Sequence, residues 1–259
     1  MTLSDVEQRE FFEKGWLIKD ALFTLDEVHE MRACFDRLET RAGKLTETGL
    51  SDGAYFFLGT KAGEQIIKRV VWAGGAEPFL LTVGSDARLL NPVATLLGSS
   101  KMEQLLSQAH FKRPGDGVTF GWHQDIQHRD KGNDTWRDIN GRGSFVQTLI
   151  VIDEMTPESG PLKFIPRSSK WRNLQLDEAA YDSGETNNAQ LPFDPETAVT
   201  IEARAGDTIF FGPYTVHASF ENTSTQYRRV FINGYAYPGA NNRPYPGNGA
   251  CRLLSVDRV

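Results

Sequence analysis

Residues 144–152 read SFVQTLIVI. A run this rich in β-branched and apolar residues reads as a strand, with Phe145, Gln147, Leu149 and Val151 on one face. It is far too short to cross a bilayer. Similar runs lie on both sides of it: LLSQAHFKR, GVTFGW, PLKFIP, TAVTIEA, DTIFFG, TVHASF and RRVFINGYAY. Between them stand turn-forming stretches such as RPGDG, PESGP and RAGD. Many short strands broken in this way predict an all-β barrel or sandwich over residues 103–240.

Upstream, residues 1–102 read as a mostly helical layer. Ser4 or Asp5 caps a short helix carrying Val6, Phe11 and Phe12, which Gly15 ends. WLIKDAL follows as a short strand. Thr24 with Glu27 forms a capping-box pattern ahead of Val28, Met31, Phe35 and Leu38 at helical spacing. Residues 62–98 continue that rhythm through Ile66, Ile67, Val70, Leu89, Leu90, Val93 and Leu97, while SDGAYFFLG at 51–59 is a loop or a strand. The polar stretch 173–198 reads as an insertion between strands, and as a candidate lid. Residues 241–259 form a C-terminal tail. The whole, 1–259, is read as one domain.

The formal charge of −6 gives no general attraction to nucleic acid or to an anionic membrane. Cys34 and Cys251 are too few and too far apart for a disulfide framework or a CxxC metal site. The opening MTLSDVEQREFFEKG has neither a basic region nor an apolar core, so no signal peptide is expected and a cytoplasmic location is the default.

The chemistry gathers around GWHQDIQHRD at 121–130. Of five histidines, His29 reads as a surface residue, and His110 and His128 have no ligand partner at a familiar spacing. His123 and Asp125 are two residues apart, so on an extended chain they project from one face. His217, on the strand TVHASF, is the natural third ligand. Two imidazoles and one carboxylate on one face of an octahedron leave the other face open, as in non-haem Fe(II) oxygenases. The HxD triplet alone is weak, because surface loops produce it often. Arg228 follows His217 at the start of RRVFINGYAY. If those strands are antiparallel neighbours, its guanidinium can enter the cavity and grip a carboxylate. Ser219 shares the face of His217. An iron beside a carboxylate receptor suits a 2-oxo acid. The alternative is that Arg228, like Arg229, is an exposed strand-end charge.

His123-x-Asp125, His217, Ser219 and Arg228 together resemble the site of the phytanoyl-CoA dioxygenase family of Fe(II)/2-oxoglutarate enzymes. KRPGDGVTFGWHQD and HASFENTSTQYRR are similar to its proximal and distal segments. GPLKFIPRSSKW is similar to a third segment, with Arg167 and Ser169 replacing a usual glycine and histidine. FFEKGWLIKDALFTLDEVHEMRA resembles the family's opening. The resemblance implies a double-stranded β-helix (jelly-roll, cupin-like) core with outer helices. It also implies use of Fe(II), 2-oxoglutarate and O2, with hydroxylation of a C–H bond and release of succinate and CO2. Asp125 favours hydroxylation over halogenation, for which relatives carry a small residue there. The resemblance puts Gln147 and Leu149 toward the cavity, and the strand bearing Gln108 and Lys112 beside 2-oxoglutarate. Trp122, Trp136 and Arg137 flank the metal motif as pocket-wall candidates, and Asn233 and Tyr235 share a face that would add polarity. This mix suggests a small polar substrate, an amino acid or natural-product intermediate, rather than a fatty acyl-CoA. Desaturation, epimerisation or ring formation at the same site is an alternative outcome. A non-catalytic metal- or ligand-binding β-barrel is the alternative from another class.

Overall fold

Both capping boxes start helices. In the computed structural model, which describes residues 2–129, 135–176, 191–242 and 251–257, Ser4 caps α1 (Asp5–Lys14) and Thr24 caps α2 (Leu25–Ala42). Each accepts from the N3 amide, while the N3 glutamate turns back to the cap. Gly15 closes α1 in the left-handed region, where a side chain would strain the backbone. Strand β1 (Trp16–Lys19) lies between the two helices.

The 51–59 stretch falls largely on a strand, one of its two expected forms, whereas residues 62–71 depart from their expected helical rhythm. Residues 49–71 form β2 (Gly49–Ser51), β3 (Ala54–Lys61) and β4 (Glu64–Val71). The apolar residues Ile66, Ile67 and Val70 suit either period, but the turn decides. Lys61 pairs with Glu64 across a two-residue loop whose residues, Ala62 and Gly63, have φ of 51° and 84°. Two consecutive positive φ values mark the tight turn whose twist matches paired strands. Helices resume as α3 (Ala73–Ala76), α4 (Pro78–Val83) and α5 (Ala87–Leu97).

The core then follows as β5 (Lys101–His110), β6 (Phe120–His123), α6 (Asp125–Arg129), β7 (Phe145–Val151) and β8 (Leu162–Phe164). It closes with β9 (Val199–Thr200), β10 (Thr208–Phe211), β11 (His217–Ser219), β12 (Val230–Ala236) and β13 (Arg252–Ser255). Two antiparallel sheets result. The larger runs β1-β10-β7-β12-β5-β4-β3-β2, and the smaller runs β6-β11-β8-β9. This is the double-stranded β-helix with a helical layer outside it. Strand β13 pairs with β5, so part of the expected tail belongs to the larger sheet.

The larger sheet is buried on both faces. Against the helices lie Phe210, Phe231 and Tyr235, packed on Val28, Met31, Phe35 and Leu38. Against the smaller sheet lie Leu149, Val151, Phe211 and Ile232, packed on Trp16 and Phe164. Full burial of such a side chain stabilises by about 1.5–3 kcal/mol. Burial on both faces explains why SFVQTLIVI is apolar almost throughout rather than alternating. Among the described residues, no helix is long and apolar enough to cross a membrane.

The flanks of the 173–198 insertion are packed rather than loose. Leu174, Leu176, Leu191 and Phe193 cover Trp122 on the outer side of the smaller sheet. The rest of the 173–198 lid candidate, residues 177–190, lies outside the described residues.

Candidate metal centre and active-site cavity

Pairing of β6 with β11 sets His123 directly opposite His217, with ring centroids 4.0 Å apart. Each imidazole is oriented by its own chain. His123 Nδ1 stands 2.7 Å from the Gly121 carbonyl and His217 Nδ1 stands 2.9 Å from the Thr215 carbonyl. A carbonyl only accepts, so in each ring Nδ1 carries the proton and Nε2 carries the lone pair that a metal needs. Burial, and then the neighbouring His217 and His128, push the His123 pKa well below the usual imidazole range, which favours the neutral ring.

Asp125 completes the group, but not by strand parity. The chain leaves β6 after His123, and Asp125 is the first residue of α6. The buried Gln124 fixes that corner: its amide nitrogen donates to the Arg172 and Tyr214 carbonyls, and its oxygen accepts from Leu174 N. Ligand atoms of His123, Asp125 and His217 all lie within 4.8 Å of one another. Asp125 Oδ2 is buried with no hydrogen-bond partner among the described residues. An orphaned carboxylate oxygen beside two Nε2 lone pairs is an unstable arrangement without a cation, and it fits a divalent metal.

These residues wall a cavity of about 310 Å³ between the two sheets. Its floor is a grid set by strand register. One row runs Phe57, Arg69, His110 and Val230, and a second runs Gln108, Ile232 and Leu149. Gln147 lies beyond them, opposite Gly234, and its Oε1 is buried without a hydrogen-bond partner among the described residues.

Arg228 reaches the cavity from the larger sheet, whereas Ser219 belongs to the smaller one. Their strands face each other rather than lying side by side as expected. Arg228 donates through Nε and Nη2 to the Gly160 carbonyl and through Nη2 to Ser219 Oγ. All its acceptors are neutral, and burial pushes its pKa down to about 10. Gly160 has φ of 70°, and a Cβ there would stand 2.4 Å from the Phe220 carbonyl oxygen, so this position needs glycine. Lys112 sits behind Ser219 and does not line the cavity. Its ammonium donates to Ser219 Oγ and to the Ser219 and Phe220 carbonyls, and burial pushes its pKa well down. Gln108 does line the cavity, 2.9 Å from His110 Nε2 through its Oε1.

Several expected wall residues lie elsewhere. Alternation from Arg228 aims Val230 and Ile232 at the cavity, so Asn233 and Tyr235 fall on the opposite face. There Tyr235 donates to the Gly84 carbonyl and Asn233 accepts from Gln104. Trp122, next to His123, faces outward for the same reason. Trp136 packs with Leu105, Leu106 and Phe145 and donates to the Gly143 carbonyl. Arg137 is exposed. Conversely, Arg69, His110, His128 and Arg129 line the cavity without having been expected there. For the last two a signal existed: they follow Asp125 by three and four residues, which on a helix is the same face.

The sequence profile of the phytanoyl-CoA dioxygenase (PhyH) family matches residues 11–230. A probable alpha-ketoglutarate-dependent hypophosphite dioxygenase from Stutzerimonas stutzeri is 24% identical over 249 residues, covering 89% of this chain and 77% of its own length. The chain spans only about half the length of two further curated relatives. Among solved structures, EctD from S. alaskensis with 2-oxoglutarate and 5-hydroxyectoine superposes with a TM-score of 0.74 at 20% identity, covering 98% of this chain and 86% of that one. The epimerase SnoN, with Fe3+, alpha ketoglutarate and nogalamycin RO, gives 0.68 at 16% identity, covering 98% and 96%. At such identities the likeness is one of fold.

Proposed function

The chain belongs to the phytanoyl-CoA dioxygenase family of Fe(II)- and 2-oxoglutarate-dependent enzymes, and from that premise we propose that it hydroxylates a C–H bond of a small molecule. The enzyme is an oxidoreductase that uses Fe(II), 2-oxoglutarate and O2. In the proposed reaction one oxygen atom of O2 enters the substrate and the other enters succinate, with loss of CO2. The observation that carries this reading is the convergence of His123, Asp125 and His217 within 4.8 Å on the wall of a cavity that Arg228 also lines.

His123, Asp125 and His217 would hold the iron, which when bound supplies the oxidising chemistry. Arg228 would take the distal carboxylate of 2-oxoglutarate, exchanging a purely neutral set of acceptors for an anion. Ser219 orients that guanidinium, and Lys112 orients Ser219 from behind. Gln108 stands on the cavity floor, where its amide can meet the co-substrate. The apolar residues Leu149, Leu162 and Phe211 keep the site dry. Desaturation, epimerisation or ring formation remains the second reading, supported by an epimerase of the same fold. Screening a metabolite library for substrate-dependent succinate release under Fe(II) tests the first. Product mass then separates an added oxygen from a loss of two hydrogens. Absence of any substrate-dependent succinate would remove both.

A further inference from the structure

The cavity floor changes character along its length. Beyond the rows of His110 and Gln108 a further row runs Leu106, Gly234, Gln147 and Phe211, one residue each from β5, β12, β7 and β10. Gln147 is the one polar side chain in it. That residue is only 5% exposed, it lines the cavity, and its Oε1 has no hydrogen-bond partner among the described residues. Its neighbours by register are apolar. Across from it, a Cβ on Gly234 would stand 2.4 Å from Phe145 Cζ and 2.9 Å from Leu106 Cδ1, so hydrocarbon fills the place of a side chain there. An amide oxygen shut in by such groups is costly to leave without a donor. Along the chain, Gly234 stands six residues beyond Arg228, up to about 20 Å of extended strand. A five-carbon co-substrate anchored on Arg228 and turned to the metal leaves this end of the floor clear. The same end still adjoins the metal ligands, because the Phe211 ring, beside Gln147 in register, is centred 5.0 Å from the His217 imidazole.

Resting on the dioxygenase reading above, we propose that Gln147 selects the substrate, and that the substrate is a small hydroxyl-bearing molecule whose hydroxyl donates to Gln147 Oε1 while its carbon skeleton lies on Leu106, Leu149 and Phe211. A hydroxyl meets either end of a carboxamide, because it both donates and accepts. A methyl group in its place fits by size but leaves the acceptor unpaired, and a site built to bond a hydroxyl rejects the analogue that lacks it. A carboxylate has only acceptors to set against Oε1 and is rejected on the same ground. A purely structural role for the amide would show in the stability of the fold and not in the choice of ligand.

The test uses the full-length enzyme under anaerobic conditions, loaded with Fe(II) and saturating 2-oxoglutarate. The probes are phenol beside toluene and benzyl alcohol beside ethylbenzene, pairs matched in size, followed by paramagnetic broadening of their proton resonances. The charge-transfer absorption of the loaded enzyme is recorded first. If loading fails, the dioxygenase reading falls and this proposal falls with it. With loading intact, the ratio of hydroxyl-probe to hydrocarbon affinity should drop by about tenfold from wild type to Gln147→Met, the factor that one buried hydrogen bond sets. Gln147→Leu should behave alike. The urea midpoint of the metal-free protein should hold or rise in both variants, since the amide oxygen has no partner in the fold to lose. An unchanged ratio, no binding of either hydroxyl probe, or a midpoint lowered in both variants would overturn the proposal while leaving the metal and co-substrate assignments standing.

Discussion

Arg228 and Arg229 enter β12 side by side, only 2% and 7% exposed, yet their surroundings differ in kind. Arg229 turns toward α2 and the end of β7. It binds Asp153 through Nε at 2.6 Å and Nη2 at 3.1 Å, and Asp36 through Nη1 at 2.6 Å. Burial alone would lower its pKa, but the bonds to Asp153 and Asp36 outweigh burial and hold it above the ordinary arginine value. Arg228 turns into the cavity and meets only a carbonyl and a hydroxyl. There burial prevails, and the pKa is pushed down to about 10. A buried cation already matched by carboxylates is part of the fold. One left with neutral acceptors has an uncompensated desolvation cost that an incoming anion offsets. From sequence alone Arg229 reads as an exposed strand-end charge; its two acidic partners lie far away in the chain and only folding brings them in.

The contrast depends on a ligand beside Arg228, so the largest effect is expected where the other end of that ligand is held. His123→Ala, Asp125→Ala and His217→Ala should each abolish turnover, a loss beyond the roughly 100-fold that removing an outer partner of a ligand costs. Circular dichroism should stay native. Turnover surviving in any one variant removes that residue from the metal site. Next in size is Arg228→Ala, which should weaken 2-oxoglutarate by about 2–5 kcal/mol, or roughly thirty-fold to several-thousand-fold. Its unfolding midpoint in urea should hardly move. Arg229→Ala should do the reverse, lowering unfolding free energy by about 1.5–3 kcal/mol while sparing 2-oxoglutarate affinity. If both variants lose affinity, or both lose stability, the division of labour is wrong.

The smallest effect probes a carboxylate in a half-exposed ion pair. Glu27 closes the cap of α2 and bonds Arg88, and these contacts lower its pKa from the usual 4.5 to about 2. A lowered carboxylate pKa adds stability that is fully present above pH 4.5 and is lost as pH falls toward 2. Glu27→Gln should therefore cost up to about 1 kcal/mol at neutral pH, because the pair is solvent-screened. The difference from wild type should shrink as pH falls below 4.5 and vanish only once pH has passed below about 2. A constant difference across that range would assign the effect to packing rather than charge.

Features written into short stretches were legible in the sequence. The capping boxes at Ser4 and Thr24 depend on residues three apart, and the β core depends on runs and turns within each strand. His123, Asp125, His217, Ser219 and Arg228 were reachable through spacing and family resemblance. What stayed hidden depends on register between distant segments. Arg69 and His110 share the cavity floor only because β4 pairs with β5. Ile66, Ile67 and Val70 matched a helical period, and the decisive cue was the Ala62-Gly63 turn. Asn233 and Tyr235 share a face, but counting by twos from Arg228 assigns the cavity side to Val230 and Ile232. Arg129 and His128 join the cavity because the chain after His123, which reads as extended, turns into a helix at Asp125.

The assignment of Arg228 as the anchor for the distal carboxylate is tested most directly by a thermodynamic cycle. Anaerobic calorimetric titrations would compare 2-oxoglutarate with 2-oxopentanoate, which lacks that carboxylate, on Fe(II)-loaded wild type and Arg228→Ala. Wild type should prefer 2-oxoglutarate at least thirty-fold, in line with about 2 kcal/mol or more for the paired charge, and the preference should collapse to within a few-fold in Arg228→Ala. A preference that survives the substitution would contradict the assignment and place the carboxylate on another cation of the cavity.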